Sequence, residues 1–271
     1  LDDNFFKFTT THIFSGTSNY LVLFGFSYLV TAFYDSEYIS GAAAVMVIFN
    51  TIIVFASFLT KPLLSLLSEN FYSEFDVMKT FIKSDKDFLI QRIFNISIFI
   101  SLVSFVMVFL FGEIVLELWL GGLHSQFYSL LIICSCAFVS LIPSRTVSYS
   151  LLFSGKMFLP AFLTYAVSAG VYLFISNNQS DNLENIAFLY VIGVGLSCLA
   201  SSSLALKSAE ADSKKILLSG ILMISALVSC LLCLSSNESI KYSGLLIISI
   251  ILILILIKER KSVSWLIKLI R

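Results

Sequence analysis

Charged residues are scarce in this sequence. Only 13% of the 271 residues are Asp, Glu, Lys or Arg, and 58% are hydrophobic, whereas a soluble globular domain has about 25% charged residues. Basic and acidic residues balance at 17 each, so no net field attracts nucleic acid or an anionic surface. The composition excludes a soluble domain, gives no sign of a nucleic-acid partner, and favours a protein surrounded by membrane lipids.

Residues that would carry common enzyme chemistry are also few. No glycine-rich phosphate loop ending in Lys-Ser/Thr is present, which excludes a built-in ATPase of that type. The two histidines, His12 and His124, are too far apart for a local metal site. All five cysteines lie in apolar runs, including the lone CxxC of Cys230 and Cys233, and we expect them to be small packing residues. The sequence therefore predicts neither a metal nor a cofactor.

Long apolar runs dominate the chain instead. A helix needs about 20 apolar residues to cross the hydrocarbon layer of a membrane. The long connection over 69–92 carries apolar residues at helical spacing among charges, which predicts an amphipathic helix on the membrane surface. The apolar runs predict an all-α fold, a polytopic bundle of about eight transmembrane helices near residues 15–34, 40–60, 92–112, 127–153, 158–176, 186–206, 216–235 and 240–257.

Basic residues occur in every second connection. Because Lys and Arg in short loops are retained on the cytoplasmic side, eight spans with both termini in the cytoplasm satisfy this alternation. The chain begins with Leu1 rather than Met, so we expect it to be part of a longer protein. The residues predicted to be cytoplasmic are Lys7, Lys79, Lys83, Lys86, Arg92, Lys156, Lys207, Lys214, Lys215, Lys258, Arg260, Lys261, Lys268 and Arg271.

Arg145 is the sharpest candidate for a functional residue. It lies inside the fourth predicted span, two residues after Pro143, and a charge in hydrocarbon costs about 2.5–3.5 kcal/mol on insertion scales. Pro143 leaves the carbonyl of Val139 without its helical partner, so a kink is expected there. A kink beside a cation indicates a water-filled cavity. The alternative is that Arg145 extends to the inner headgroups.

Lys61 and several polar residues are the remaining candidates. Lys61 precedes Pro62 at the inner end of the second span, where it either faces the same cavity or lies at the interface. If it faces the cavity, Lys61 and Arg145 together would bind an anionic group. The residues predicted to line the cavity are Asn19, Tyr20 and Thr31 of the first span, and Ser148 and Tyr149 of the fourth.

Glycines within the spans are predicted to be points of close helix packing rather than hinges. Small residues let helix backbones approach each other in membranes. The glycines concerned are Gly41, Gly170, Gly193 and Gly195.

Four local patterns occur in the order found in one transporter family. A polar turn over 32–41 follows the first span, and Lys61-Pro62-Leu63-Leu64-Ser65 ends the second. The stretch 111–121 carries Gly112, Leu118-Trp119 and Gly121 after the third span, and Ser154-Gly155-Lys156 follows the fourth. The chain thereby resembles the carboxy-terminal half of a polysaccharide flippase of the multidrug/oligosaccharidyl-lipid/polysaccharide exporter superfamily, the translocases of O-antigen and capsule repeat units.

This resemblance implies a division of the chain. Residues 1–206 would be the six-span second lobe of a MATE-like flippase, and residues 207–271 would add two spans and a basic cytoplasmic tail. The N-terminal six-span lobe would lie outside this sequence. Such proteins act in the bacterial inner membrane, during the synthesis of O-antigen, lipopolysaccharide or capsular polysaccharide.

The resemblance also implies a mechanism. The two lobes rock around a central cavity and move an oligosaccharide linked to an isoprenoid pyrophosphate to the outer leaflet, without making or breaking a bond. Arg145 and Lys61 would neutralise the pyrophosphate. A polysaccharide polymerase and a chain-length regulator would be partners.

Three alternatives remain open. A drug/cation antiporter of the same superfamily would need a buried acidic residue for ion coupling, and the spans contain almost none. An integral polymerase or ligase would need a large outside loop with clustered Arg, His or carboxylates, and the predicted outside loops are short. The third alternative is an inactive, truncated lobe.

Overall fold

Every element in the described part of the chain is a helix. The computed structural model describes residues 3–72, 82–151, 158–177, 182–208 and 213–259, and within these ranges the all-α prediction is confirmed. A single turn of 3-10 helix, Gly121–Leu123, precedes α4. The helices are α1 (Asp3–Phe33), α2 (Ser36–Tyr72), α3 (Ile82–Leu120), α4 (His124–Ser135), α5 (Phe138–Leu151), α6 (Phe158–Asn177), α7 (Leu183–Ser208), α8 (Ser213–Leu232) and α9 (Glu238–Lys258).

Among the described residues, six segments are long and apolar enough to cross a membrane. Two further apolar segments, Phe24–Phe33 and Leu217–Leu232, are shorter in the described residues and belong to the predicted first and seventh spans. The structure thus supports a multi-pass membrane protein, and the count of eight spans stays a prediction. The six long segments are Tyr38–Ala56, Ile93–Leu120, Gln126–Thr146, Phe158–Asn177, Leu183–Leu204 and Glu238–Lys258.

The connection between the second and third spans differs from the prediction. Its first residues, 69–72, continue α2, and residues 82–92 already belong to α3, while 73–81 lie outside the described part. At 37 and 39 residues, these two helices are about 55–60 Å long at 1.5 Å per residue. They therefore extend well beyond a hydrocarbon layer of about 30 Å, and no separate surface helix is described there.

The segment formed by α4 and α5 lies at the centre of the bundle. Within the protein, 89% of Gln126–Thr146 is buried, compared with 22% of each span in α6 and α9. Helix α5 packs against α2, α3, α7 and α8, and α1 packs mainly against α2 and α6. Charges and polar groups placed on α5 are therefore held by neighbouring helices rather than by lipid.

This central segment, which corresponds to the span predicted over 127–153, consists of two helices rather than one. The interruption lies at Cys136 and Ala137, and α5 continues through Pro143. The backbone N–H of Cys136 is shared between the carbonyls of Ile132 and Ile133, both at 3.2 Å. The Ser135 hydroxyl donates to the Ile132 carbonyl at 2.8 Å. Local hydrogen bonds thus satisfy polar backbone groups that lipid could not.

The outer surface of the bundle is apolar on most described helices. On α9, Leu246, Ile250, Leu254 and Ile257 are exposed, at 63%, 48%, 57% and 70%. Exposing a continuous apolar face of this kind to water is unfavourable, whereas contact with lipid chains is favourable. The exposed face of α1 differs, because it carries Tyr20 and Tyr28 on either side of Phe24.

Candidate functional site

Arg145 lies inside the bundle, at the face of α5 that packs against α7. Its side chain is half-buried, and α5 packs against α7, which carries the buried residues Tyr190 and Cys198. These two residues lie on either side of the midpoint of the Leu183–Leu204 span. Arg145 itself is the second-last residue of the Gln126–Thr146 span, so its backbone lies near one end of that span.

The direction of α5 explains this position. Side chains on an α-helix lean toward its N-terminus, so the side chain of Arg145 leans toward the Cys136–Ala137 interruption in the middle of the segment. An arginine that extended to the headgroups beyond Leu151 would have to point against this lean.

Small polar residues surround the arginine along the seam between α5 and α7. The Cys198 thiol lies close to Ser144 of α5 and to its neighbour Ser197. Ser140 is fully buried and faces Gly195, since a Cβ built on that glycine would lie 3.8 Å from the serine Oγ. The side chains along this seam are polar enough to lie beside a charge. They are also small enough to let the two helices pack closely.

Tyr190 connects this seam to α1. It is 6% exposed, and its hydroxyl donates a hydrogen bond of 3.2 Å to the carbonyl of Leu21. Its ring packs against Phe26, with 5.7 Å between ring centroids. The sequence did not single out Tyr190, because it is one of 11 tyrosines and lies in an ordinary apolar run.

The structure describes only part of the predicted site. The side chains of Lys61, Asn19, Ser148 and Tyr149 lie outside its described portion. Their helices are described: Asn19 is in α1, Lys61 in the long second helix, and Ser148 and Tyr149 in α5 with Arg145. Their placement beside a cavity stays a prediction.

Tyr20 and Thr31 lie on the exposed face of α1. Tyr20 is 60% exposed and its ring packs on Phe24, with 5.1 Å between centroids. The hydroxyl of Thr31 donates to the carbonyl of Tyr28 in its own helix at 2.9 Å. Leu21 turns its carbonyl toward Tyr190, so this helix presents one face to the seam and another face away from it.

A buried carboxylate was missed by the sequence reading. Glu259 caps the C-terminal end of α9 and is 4% exposed. Its Oε1 accepts a hydrogen bond of 3.0 Å from the Asn95 side-chain amide, which is 3% exposed. Glu259 directly follows the last apolar run in a basic segment, where a charged residue is ordinarily solvated, so the sequence carried no signal of its burial.

The described residues contain no group of three or more His, Cys, Asp or Glu side chains that could hold a metal ion. All five cysteines are buried and free. A guanidinium with hydroxyl groups near it is suited to binding an anion.

Comparisons with protein-family models, with curated proteins and with solved structures found no match for this chain. A functional assignment depends therefore on the residues themselves and on their arrangement.

Proposed function

We propose that this chain is the second lobe of a flippase that moves oligosaccharides, linked to an isoprenoid pyrophosphate, across the bacterial inner membrane. The observation that carries the proposal is the position of Arg145. The residue is half-buried beside the polar seam of α5 and α7, near the C-terminal end of the Gln126–Thr146 span. An interior cation of this kind fits a route for an anionic ligand.

The energies make an anionic ligand a reasonable occupant. Placing arginine in the middle of a span costs about 2.5–3.5 kcal/mol on insertion scales. A phosphate oxygen about 4 Å from the guanidinium would interact with about 4 kcal/mol at an effective dielectric constant of 20, against about 1 kcal/mol in water. Binding the pyrophosphate would thus offset the cost of holding Arg145 in the interior.

In this proposal the chain has eight spans, with both termini in the cytoplasm, and residues 1–206 form the lobe. Helices α8 and α9 would be the two additional spans. They pack against α3, and α8 also contacts α5 and α7. The lobe would work with a second six-span lobe, and a polysaccharide polymerase and a chain-length regulator would use the product.

The interruption between α4 and α5 supports transport. Discontinuous helices at the middle of a membrane form substrate sites in many transporters, because freed backbone groups and side chains can face a cavity there. Here the interruption at Cys136 and Ala137 lies two turns before Arg145. Alternating access would then expose Arg145 first to one leaflet and then to the other.

One observation favours the antiporter alternative. Glu259 is a buried carboxylate, and ion-coupled transporters use such groups to carry protons or sodium ions. Its partner Asn95, however, is the third residue of the Ile93–Leu120 span. The carboxylate therefore lies at the edge of the bundle, in a position suited to fastening α9, and not at the middle.

A reconstituted system tests the proposal. The complete protein would be placed in vesicles with a fluorescent oligosaccharide on a polyisoprenyl pyrophosphate, and outer-leaflet label would be quenched over time. A flippase increases the quenchable fraction and leaves the lipid-linked sugar chemically intact. New polymer or free pyrophosphate lipid would indicate the polymerase or ligase alternative. Unchanged quenching with correctly folded protein would reject the flippase proposal and favour the inactive lobe.

A further inference from the structure

The exposed face of α1 carries hydroxyl groups along most of its length. Positions three and four residues apart lie on the same side of an α-helix, so the exposed side chains of α1 form one stripe. A Cβ built on Gly16, in the same stripe, would meet nothing within 4 Å. Between residues 9 and 31, the described side chains that are exposed are Thr9, His12, Ile13, Thr17, Tyr20, Phe24, Tyr28 and Thr31.

The exposed faces of the two C-terminal helices have a different composition. From residue 246 to 257, the exposed side chains of α9 are aliphatic except for Ser249. The Ser249 hydroxyl donates to the carbonyl of Leu245 in the same helix at 2.9 Å. Both faces are therefore suited to lipid chains. The exposed side chains described on α8 are Leu217, Leu218, Ile221, Ile224 and Val228.

Tyr20 and Tyr28 do not satisfy their hydroxyls as Ser249 does, because a tyrosine hydroxyl lies at the far end of a ring. Neither hydroxyl forms a hydrogen bond with another residue in the part of the chain that the structure describes. Side chains lean toward the N-terminus of their helix, so Tyr28 leans toward the middle of the span predicted over 15–34 and away from its nearer end. A hydroxyl without a partner in hydrocarbon costs free energy. This stripe is therefore better suited to water or to a polar ligand than to lipid.

Three aromatic rings form the middle of the stripe. Tyr20, Phe24 and Tyr28 follow one another at intervals of four residues and are 60%, 45% and 63% exposed. The rings of Tyr20 and Phe24 pack with 5.1 Å between their centroids. At 1.5 Å per residue, the three positions extend over about 12 Å of the helix. The stripe thus presents a row of aromatic rings with a hydroxyl at each end.

We propose that the row formed by Tyr20, Phe24 and Tyr28 is a carbohydrate-binding surface, which holds the oligosaccharide of the ligand while Arg145 holds its pyrophosphate. A sugar ring has an apolar face of C–H groups and hydroxyls around its rim. The apolar face matches an aromatic ring, and the rim exchanges hydrogen bonds with tyrosine hydroxyls. Residues 17–31 contain no charged side chain, which fits a neutral sugar and not a pyrophosphate.

This inference rests on the proposed function, since it assumes that the ligand carries sugars. It assigns the two parts of that ligand to different helices. Helix α1 would recognise the oligosaccharide through rings and hydroxyls, and α5 would recognise the pyrophosphate through charge. The two contributions can be separated with ligands that differ only in the sugar.

The first measurement asks what surrounds the stripe. In the complete protein in nanodiscs, a nitroxide label would be placed at Phe24→Cys, near the middle of α1, and in a second sample at Ile250→Cys, near the middle of α9. These two side chains are exposed to a similar extent, at 45% and 48%, and the native cysteines are buried. We expect the label on α1 to collide more with a water-soluble nickel complex, and less with oxygen, than the label on α9.

The second measurement compares the affinities of two ligands. One is a polyisoprenyl pyrophosphate that carries an oligosaccharide, and the other is the same lipid without sugar. Tyr28→Leu should lower the affinity for the first about ten-fold and leave the second unchanged. Tyr28→Phe keeps the ring and should lose less. The matched control is Tyr242→Leu on α9, because Tyr242 is also 63% exposed, and this variant should change neither affinity.

The outcomes separate this inference from the proposed function. Equal affinities of Tyr28→Leu and the Tyr242→Leu control for the sugar-bearing lipid would overturn the carbohydrate surface. A label at position 24 that collides mainly with oxygen would show that the stripe faces lipid, and one that collides with neither reagent would show that protein covers it; both results overturn the inference. If Arg145→Ala loses both ligands in any of these cases, the proposed function stands without it. If Arg145→Ala binds both ligands as tightly as the unsubstituted protein, the proposed function fails.

Discussion

The side-chain amide of Asn95 donates a buried hydrogen bond of 3.0 Å to the carboxylate of Glu259. The bond joins the start of the α3 span to the end of α9. At the opposite end of these antiparallel helices, the Lys241 Nζ lies 5.1 Å from the centroid of the Phe109 ring. Helix α9 is therefore fastened to α3 by a polar contact at each end, with an apolar interface between them.

We expect Asn95→Leu to destabilise this fastening. The substitution removes one hydrogen-bond donor from a buried carboxylate, and a net contribution of about 0.5–1.5 kcal/mol is typical of such a hydrogen bond. The measurement is thermal unfolding of the purified protein in nanodiscs, followed by circular dichroism. Asn185→Leu is the matched control, because Asn185 is exposed at the start of α7. Equal melting temperatures for the two variants would show that the Asn95 hydrogen bond contributes nothing to stability.

Gly41→Ala should destabilise the contact between α2 and α4. A Cβ at Gly41 would lie 2.1–2.4 Å from ring atoms of Phe127, and this ring is 2% exposed and has little room to move. Overpacking of this kind costs about 1–3 kcal/mol. The control is Gly170→Ala, since nothing lies within 4 Å of a Cβ built there. Thermal unfolding should show a lower midpoint for the first variant alone, and a similar loss in both would contradict this explanation.

The contrast between the two glycines shows what the sequence could and could not predict. Four of the glycines in the spans, Gly41, Gly170, Gly193 and Gly195, were predicted to be close-packing points, which is correct for Gly41 and for Gly193, whose Cβ would lie 2.4 Å from Val171. It is wrong for Gly170, which faces open space. Whether a glycine meets a neighbour depends on the rotation of its helix in the bundle, and an all-apolar run does not specify that rotation.

The helices themselves were predictable because the bilayer imposes their length. Apolar runs of about 20 residues have few other uses, so the approximate spans followed from composition alone. The interruption in the fourth span was not predicted, because Pro143 is the strongest helix-breaking residue in that stretch of sequence. That proline lies inside α5, while Phe138, just after the interruption, stacks on Phe49 with 5.1 Å between centroids. A contact of this kind joins segments that are distant in the chain, so the local sequence does not predict it.

Only part of the site could be predicted, because some of its residues acquire their partners from distant segments. Arg145 stands out because an ionisable residue in a span is costly wherever its side chain points. Tyr190 does not stand out, since its hydroxyl acquires a role only when α1 brings the Leu21 carbonyl to it. Glu259 looks like a solvated residue until α3 supplies the amide of Asn95.

The orientation of the chain can be tested with single cysteines. With both termini in the cytoplasm, Asn185→Cys and Ser236→Cys should react with an impermeant thiol reagent in spheroplasts, and Lys207→Cys should react only after permeabilisation. All three positions are exposed, and the five native cysteines are buried. Because α8 alone separates Lys207 from Ser236, equal reactivity at these two would show that α8 does not cross the membrane. A reversed pattern would place the termini outside.

The role of Arg145 leads to the most direct prediction. In the complete protein, Arg145→Ala should abolish export of the surface polymer, because the pyrophosphate would then have to cross the hydrocarbon without a counter-charge. Arg145→Lys should keep part of the activity, since it retains the charge and loses the forked donor geometry. The amount of protein inserted in the membrane would be measured in each strain, so that a folding defect is not mistaken for a loss of transport.

Lys207→Ala provides the matched control for this series, because it removes an exposed cation from the end of α7. A general loss of positive charge would reduce export in both alanine variants, whereas a requirement for the interior charge reduces it only in Arg145→Ala. Normal export from Arg145→Ala would mean that the guanidinium serves the packing of α5 against α7. The proposal would then lose its main support, since no other cation of the described residues lies in this seam.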